Sequence, residues 1–78
     1  MSMSIEQDII TASQLYVYLT YRVGTSNKQW SIRKVGGEYR VLWGRIGSLP
    51  AEQVVSMEEA LKRLREKIKK GYQIQMVM

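Results

Sequence analysis

The segment Trp43-Gly44-Arg45-Ile46-Gly47 contains the residue types best suited to binding a ligand. A tryptophan at a strand end offers a flat surface for stacking on a base or a sugar, and an arginine grips a phosphate through two parallel hydrogen bonds. A glycine between them lets a backbone or a ligand approach closely. The alternative is that Trp43 only completes a core, that Gly44 shapes a turn and that Arg45 is solvated. Both interpretations fit the spacing.

The residues that usually carry out acid-base, nucleophilic or metal chemistry are missing. The sequence contains no histidine and no cysteine, which removes the usual proton shuttle, the thiolate nucleophile and the commonest metal ligands. Glu58 and Glu59 are adjacent carboxylates, but their positions suit the first turn of a helix, where the helix dipole stabilises negative charge. We therefore predict a protein that is not an enzyme, with no catalytic residue, no metal and no cofactor.

The chain is basic: 12 Lys and Arg residues against 7 Asp and Glu residues give a net charge of +5. Such a charge attracts polyanions, although it also serves solubility alone. Lys28, Arg33, Arg40 and Arg45 lie along or beside a predicted hairpin, where they are placed to contact phosphates. The alternative for Arg33 and Arg40 is that they only solvate an outer sheet face. The cations of the C-terminal helix alternate with acids, which predicts a solvated face.

Gly36-Gly37 separates two strand-like segments and predicts a tight hairpin with a type I′ turn. A two-residue loop pairs Val35 with Glu38, and the rest of the register follows from that pair. One face then pairs Trp30 with Trp43, Ile32 with Val41, Lys34 with Tyr39 and Lys28 with Arg45. The other face pairs Ser31 with Leu42 and Arg33 with Arg40, which predicts a basic and hydrated outer surface.

The other elements follow from propensity and capping signals. Residues 15–21 form a strand before a turn-rich stretch over 22–27, and residues 51–55 form an edge strand after Pro50. A helix begins at Ser56, which with Glu59 forms a capping box, and ends before Gly71. Its apolar stripe covers the apolar sheet face and consists of Met57, Leu61, Leu64 and Ile68. Residues 1–14 form either a short helix or a tail, and residues 73–78 either a last strand or a tail.

The 78 residues are enough for one domain with a small core. The predicted class is α+β, with a small antiparallel sheet of about four strands and one C-terminal helix across one face. No segment has the roughly 18 consecutive apolar residues of a membrane span, and the N-terminal residues lack the pattern of an export signal. We expect a cytoplasmic protein without membrane contact.

Several motifs in order give the chain a resemblance to the WGR domain. They are Asn27 to Ile32, Gly37 to Gly47, Gln53, Glu58-Glu59-Ala60 and Lys67 to Tyr72. The likeness covers about residues 15–72 and implies a WGR-like domain over residues 15–78. This family, named for its Trp-Gly-Arg motif, occurs in DNA-damage-responsive poly(ADP-ribose) polymerases and as short bacterial proteins. The chain departs from the family pattern at Leu42, often a basic residue, and at Glu52-Gln53, often Gly-Gln, so the contact loop is expected to differ in shape and charge.

The resemblance implies nucleic-acid binding. In the polymerase relatives, the tryptophan at the position of Trp43 packs at the end of a DNA strand, and the arginine at the position of Arg45 contacts DNA and neighbouring domains. We predict a non-catalytic module that binds nucleic acid, DNA rather than RNA, through Trp43, Gly44, Arg45, Lys28, Arg40 and Arg33. The alternative is an adaptor that binds a protein partner. The expected state is a monomer or a weak homodimer.

Overall fold

A computed structural model describes residues 5–78, so part of the predicted N-terminal helix or tail, residues 1–4, lies outside the described residues. The elements in chain order are α1 (Ile5–Thr11), β1 (Gln14–Val23), β2 (Ser26–Val35), β3 (Glu38–Arg45), β4 (Ala51–Val55), α2 (Met57–Lys70) and β5 (Gln73–Val77). The α+β class and the antiparallel sheet are confirmed. Over residues 5–78 the sheet has five strands rather than about four, and there are two helices rather than one C-terminal helix.

The strand order is β4-β3-β2-β1-β5, and every neighbouring pair is antiparallel. The predicted register of β2 and β3 is confirmed, including Trp30 opposite Trp43 and Lys28 opposite Arg45. The predicted turn type is wrong: Gly36 has φ 61°, whereas Gly37 does not have a positive φ. A positive φ at the first central position only is the pattern of a type II′ turn, which closes a two-residue hairpin in the same register.

The loop predicted over residues 22–27 is also shorter than expected. Pairing between β1 and β2 continues to Val23 and Ser26, so a second two-residue turn joins these strands. Both strands have ten residues. Cross-strand pairing has therefore extended into residues whose individual propensities favour a turn.

Both helices lie over one face of the sheet. The buried apolar side chains form a single cluster, consisting of Ile9, Leu15, Val17, Leu19, Trp30, Ile32, Tyr39, Val41, Ala60, Leu61, Leu64 and Tyr72. Within α2 the predicted stripe is shifted: Leu61 and Leu64 are buried with Ala60, whereas Met57 and Ile68 are 36% and 43% exposed. The two exposed residues lie near the helix ends. Ser56 Oγ accepts the Glu59 N–H at 3.1 Å, which confirms the helix start.

A buried lysine attaches α1 to the sheet. Lys34 is only 7% exposed, and its Nζ donates to the carbonyl oxygens of Ile9 and Ile10 at 2.9 and 3.0 Å. The Tyr39 hydroxyl donates to the same Ile9 oxygen at 3.1 Å. These carbonyls belong to the last turn of α1, where the negative end of the helix dipole favours a cation. The lysine on the apolar face therefore has a structural partner.

Gly44 is the last but one residue of β3 and lies against the loop that follows the strand. Its φ is 155°, and a Cβ added there would lie 3.5 Å from the Pro50 Cα. The loop is held near the sheet because the Ile46 N–H donates to the Asn27 oxygen at 2.9 Å and Gln29 Nε2 donates to the Arg45 oxygen at 3.1 Å. Glycine is needed here for its backbone conformation.

Within residues 5–78 the helices have 7 and 14 residues, and neither is long and apolar enough to cross a membrane.

The role of Lys34 predicts a specific loss of stability. Lys34→Met keeps the apolar stem but leaves buried carbonyls of α1 without their charged donor, which should cost about 1–3 kcal/mol of unfolding free energy. Urea denaturation measures this change. Lys62→Met, which removes an exposed lysine from α2, should stay within about 0.5 kcal/mol of wild type. Equal effects in the two variants would contradict the assigned role.

The two glycines Gly44 and Gly37 form a matched pair for testing the strand end. Gly44→Ala forces a side chain into a backbone conformation that L residues rarely adopt and should cost about 1–3 kcal/mol. Gly37 has no positive φ and no atom within 4 Å of an added Cβ, so Gly37→Ala should be nearly neutral. Thermal unfolding of both variants gives the comparison, and a neutral Gly44→Ala would refute the conformational requirement.

Candidate nucleic-acid interface

An open cleft lies on the helix-covered side of the sheet, where three segments meet. These are the start of β2, the end of β3 and the C-terminal end of α2 with the residue that follows its cap. The lining residues are Thr25, Ser26, Asn27, Lys28, Gln29, Trp43, Gly44, Arg45, Lys67, Lys70 and Tyr72. Four of them are cations and none is a carboxylate. We refer to this site as the cationic cleft.

The alternation of side chains along the strands explains why Lys28, Trp43 and Arg45 lie on the same face of the sheet. Trp43 and Arg45 are two residues apart in β3 and therefore lie on the same face of the sheet. Lys28 is directly opposite Arg45 in β2, so it lies on that face as well. Like charges directly opposite each other are unfavourable. No ion pair involving either residue occurs among residues 5–78, so this arrangement suits an external anion.

Trp43 is both packed and accessible. It pairs across the strands with Trp30, which is 2% exposed, while Trp43 itself is 39% exposed. Trp43 lines the cationic cleft and also a neighbouring depression of mixed charge, whose other lining residues are Trp30, Glu59, Arg63, Glu66 and Lys67. A tryptophan that is partly covered and partly exposed combines packing with a surface that a planar ligand group can contact.

Lys67 contributes positive charge that is poorly compensated. Burial, followed by the nearby charges of Lys70 and Lys28, lowers the pKa of Lys67 from the usual 10.5, although Glu66 acts in the opposite direction. The Lys67 Nζ lies 5.2 Å from the centroid of the Tyr72 ring. An anion in the cleft would relieve the repulsion between these lysines and raise this pKa again.

Two tyrosines support the lysines in place of carboxylates. The Tyr21 and Tyr72 rings stack with centroids 5.0 Å apart, and Lys70 Nζ lies 5.9 Å from the Tyr21 centroid. Burial raises the pKa of Tyr72, so its hydroxyl stays neutral at physiological pH. A ring face attracts a cation without neutralising its charge. The positive charge of the cleft therefore remains available to a ligand.

Arg33 and Arg40 lie outside the cationic cleft. They are opposite each other in β2 and β3, on the sheet face away from the helices, because their parity differs from that of Lys28 and Arg45. Arg40 is paired with Glu38 and with Glu52, the latter at 2.6 Å, and these contacts raise the pKa of Arg40. The structure thus brings together four of the six predicted residues. The predicted basic outer surface is partly neutralised at Arg40.

Sequence reasoning missed Lys67, Lys70, Tyr21 and Tyr72. The two lysines were predicted to lie on a solvated helix face. The available signal was position: they occupy the last turn of α2, and Tyr72 follows directly after the Gly71 cap. A helix packed across the sheet must place this last turn near one end of the strands.

Within residues 5–78, no group of three or more acidic, histidine or cysteine side chains could hold a metal ion.

No protein-family model and no curated protein sequence matches the chain. Among solved structures, a protein from Bacteroides fragilis is similar to this chain, with 29% sequence identity and a TM-score of 0.66. The match covers 78% of this chain and 19% of the other protein. The chain thus spans about a fifth of the length of that protein, in which a fold of this kind is part of a longer polypeptide.

Proposed function

We propose that this protein is a non-catalytic DNA-binding module of the WGR type, and that the cationic cleft is its binding site. The observation that carries the proposal is the grouping of four cations around a partly exposed tryptophan without a carboxylate in the lining. The Trp-Gly-Arg motif at the end of β3 supplies two of these residues. The resemblance to WGR domains favours DNA over RNA.

Each side chain has a defined task in this proposal. Trp43 stacks on the terminal base or sugar of a DNA strand, which is a sequence-tolerant interaction. Arg45 and Lys28 hold one phosphate from the sheet, while Lys67 and Lys70 hold the backbone from the helix. Gly44 keeps the strand end free of a side chain. Arg40 has no part in this contact because its charge is satisfied by Glu38 and Glu52 on the other face.

A protein partner is the second candidate, and the outer edge of β5 favours it. This edge strand, Gln73–Val77, contains neither a charged residue nor a proline, and such edges readily pair with another strand. Val77→Pro would remove a backbone donor at this edge. If a partner co-purifies after nuclease treatment and is lost in Val77→Pro, the adaptor function is favoured over direct DNA binding.

The lysines of the cleft provide the sharpest test of DNA binding. Lys67→Gln/Lys70→Gln should weaken binding to a blunt-ended duplex about ten-fold at low salt, because two phosphate contacts are lost. The slope of log affinity against log salt concentration is negative, and its magnitude should decrease by about 1.8 when two contacts are lost. Fluorescence anisotropy with a labelled duplex measures both quantities.

The matched control is Lys62→Gln/Lys69→Gln, which removes the same charge from exposed positions of α2 outside the cleft. This control should retain most of the affinity for the duplex, and its slope of log affinity against log salt concentration should stay close to that of the wild type. If both double variants lose affinity equally, binding depends on net charge and the cleft is not the site. No binding by the wild type at tens of micromolar protein would reject DNA binding altogether.

The lowered pKa of Lys67 predicts a pH dependence of binding. Because the pKa of Lys67 is lower in the native state than in the unfolded chain, native Lys67 loses its proton at a pH below the usual 10.5. The loss of this charge removes its repulsion with the neighbouring lysines, so the native state gains stability relative to the unfolded chain as the pH rises through this range. A bound polyanion has the opposite preference, because it favours protonated Lys67. DNA affinity should therefore fall as the pH rises through the pKa of Lys67, and this part of the fall should be absent in Lys67→Gln. Anisotropy titrations at constant ionic strength test this; identical pH profiles would contradict it.

A further inference from the structure

The sheet face away from the helices has a second group of aromatic and basic side chains. Tyr16 and Tyr18 alternate with the buried Leu15, Val17 and Leu19 along β1, so both rings lie on this outer face. Their centroids are 6.3 Å apart and their planes differ by 18°. Neither helix covers them. Two nearly parallel rings on an open sheet face are a suitable surface for stacking planar groups.

The two rings are half-buried, and Tyr18 lines a cavity on the outer face. Arg33 lies opposite Tyr16, with its guanidinium carbon 5.6 Å from the Tyr16 centroid. Ser31, a small residue, lies opposite Tyr18 on the same side, while Met76 of β5 lies on the other side. Ser31 is buried, whereas Tyr16 and Tyr18 are each half-buried. The arginine at Tyr16 adds a cation at one end of the pair.

A β-bulge shapes the other end of this surface. The register between β1 and β5 shifts at Tyr18 and Leu19, which leaves Gln75 as the extra residue of β5. Gln75 Nε2 donates to Thr20 Oγ1 at 2.9 Å, so the amide is held over the sheet. A cavity beside Tyr18 is lined by polar and small residues, namely Thr20, Arg22, Val23, Gly71, Gln73 and Gln75. Bulges commonly redirect side chains toward binding sites, and amides read the edges of nucleobases.

The charges of this surface favour a polyanion. Arg22 and Arg33 form no ion pair among residues 5–78, and neither β1 nor β5 contains an acidic residue. The carboxylates of the outer face, Glu38 and Glu52, lie in β3 and β4, where they pair with Arg40. Positive charge therefore accompanies the tyrosines, whereas on the other half of the sheet Arg40 offsets one of the two carboxylate charges, and Arg33 lies at the boundary between the two halves.

We propose that this outer face, which we name the tyrosine platform, binds unpaired bases of a single-stranded nucleic acid. The platform consists of Tyr16, Tyr18, Arg22, Arg33 and Gln75. A base stacks on the Tyr18 ring, which is itself stacked on Tyr16. The Gln75 amide contacts a base edge, and the two arginines hold phosphates. Arg22 lies six residues along β1 from the position opposite Arg33, which is roughly 20 Å and fits several nucleotides of an extended strand. This site is on the other side of the sheet from the cationic cleft and does not depend on it.

The test uses a fluorescein-labelled oligothymidylate of about a dozen nucleotides and the full chain at low salt. Tyr18→Val and Tyr16→Val, which keep a strand-forming residue, should each weaken binding about ten-fold. Lys67→Gln/Lys70→Gln should leave at least half of this affinity. The reverse pattern is expected for a blunt duplex, so the platform and the cleft are assessed independently.

The arginines provide a second measurement that does not disturb the aromatic rings. Arg33→Gln should weaken oligothymidylate binding several-fold, while Arg65→Gln, with the same loss of charge but a position on α2 paired with Glu6, should have little effect. Circular dichroism confirms that each variant is folded. The proposal is overturned if the wild type does not bind the oligothymidylate, or if folded tyrosine variants bind it normally. It is also overturned if those variants lose duplex and single-strand binding equally.

Discussion

The two-residue turn at Gly36-Gly37 determines which face of the sheet each residue of β2 and β3 occupies. With Val35 opposite Glu38, Trp30 and Trp43 both face the helices and Arg33 and Arg40 both face away. A turn longer by one residue would shift one strand by a position and exchange its two faces. The core and the cationic cleft would then be lost together. The turn therefore fixes stability and the proposed binding site through the same geometric constraint.

The position of α2 is the second requirement for the cleft. The Gly71 cap ends the helix above the strand ends, and the Tyr72 N–H donates to the Lys67 oxygen at 3.0 Å. This geometry directs Lys67 and Lys70 toward Tyr72 and Tyr21. The helix dipole favours cations at this end and offsets part of their mutual repulsion. The rest of the repulsion is what a bound anion would remove. By contrast, Arg40, Arg63 and Arg65 all have carboxylate partners within the chain.

Local signals were sufficient to predict the hairpin and the limits of α2. The Gly-Gly pair set the register of β2 and β3, and Ser56 and Gly71 marked the two helix ends. The terminal elements were not predictable in this way, because each depends on residues far away in sequence. Helix α1 depends on Lys34, which is 25 residues from Ile9, and β5 depends on β1, more than fifty residues away. The same reason explains the missed lysines: their neighbours Tyr21 and Lys28 come from β1 and β2. The motif itself was visible, whereas the charges that complete the cleft required the packed fold.

Trp43 combines a structural position with a place in the proposed binding site. With few residues available for a core, the chain retains its second tryptophan partly packed beside Trp30 and leaves the remainder of the ring accessible. A substitution at Trp43 would therefore change folding and binding at once, and the same applies to Gly44 because of its backbone conformation. Lys67 and Lys70 lie outside the apolar core, so their charge can change with little loss of packing. The separation of the proposed binding from stability thus depends on the cations of the helix, although the motif residues are the ones most evident in the sequence.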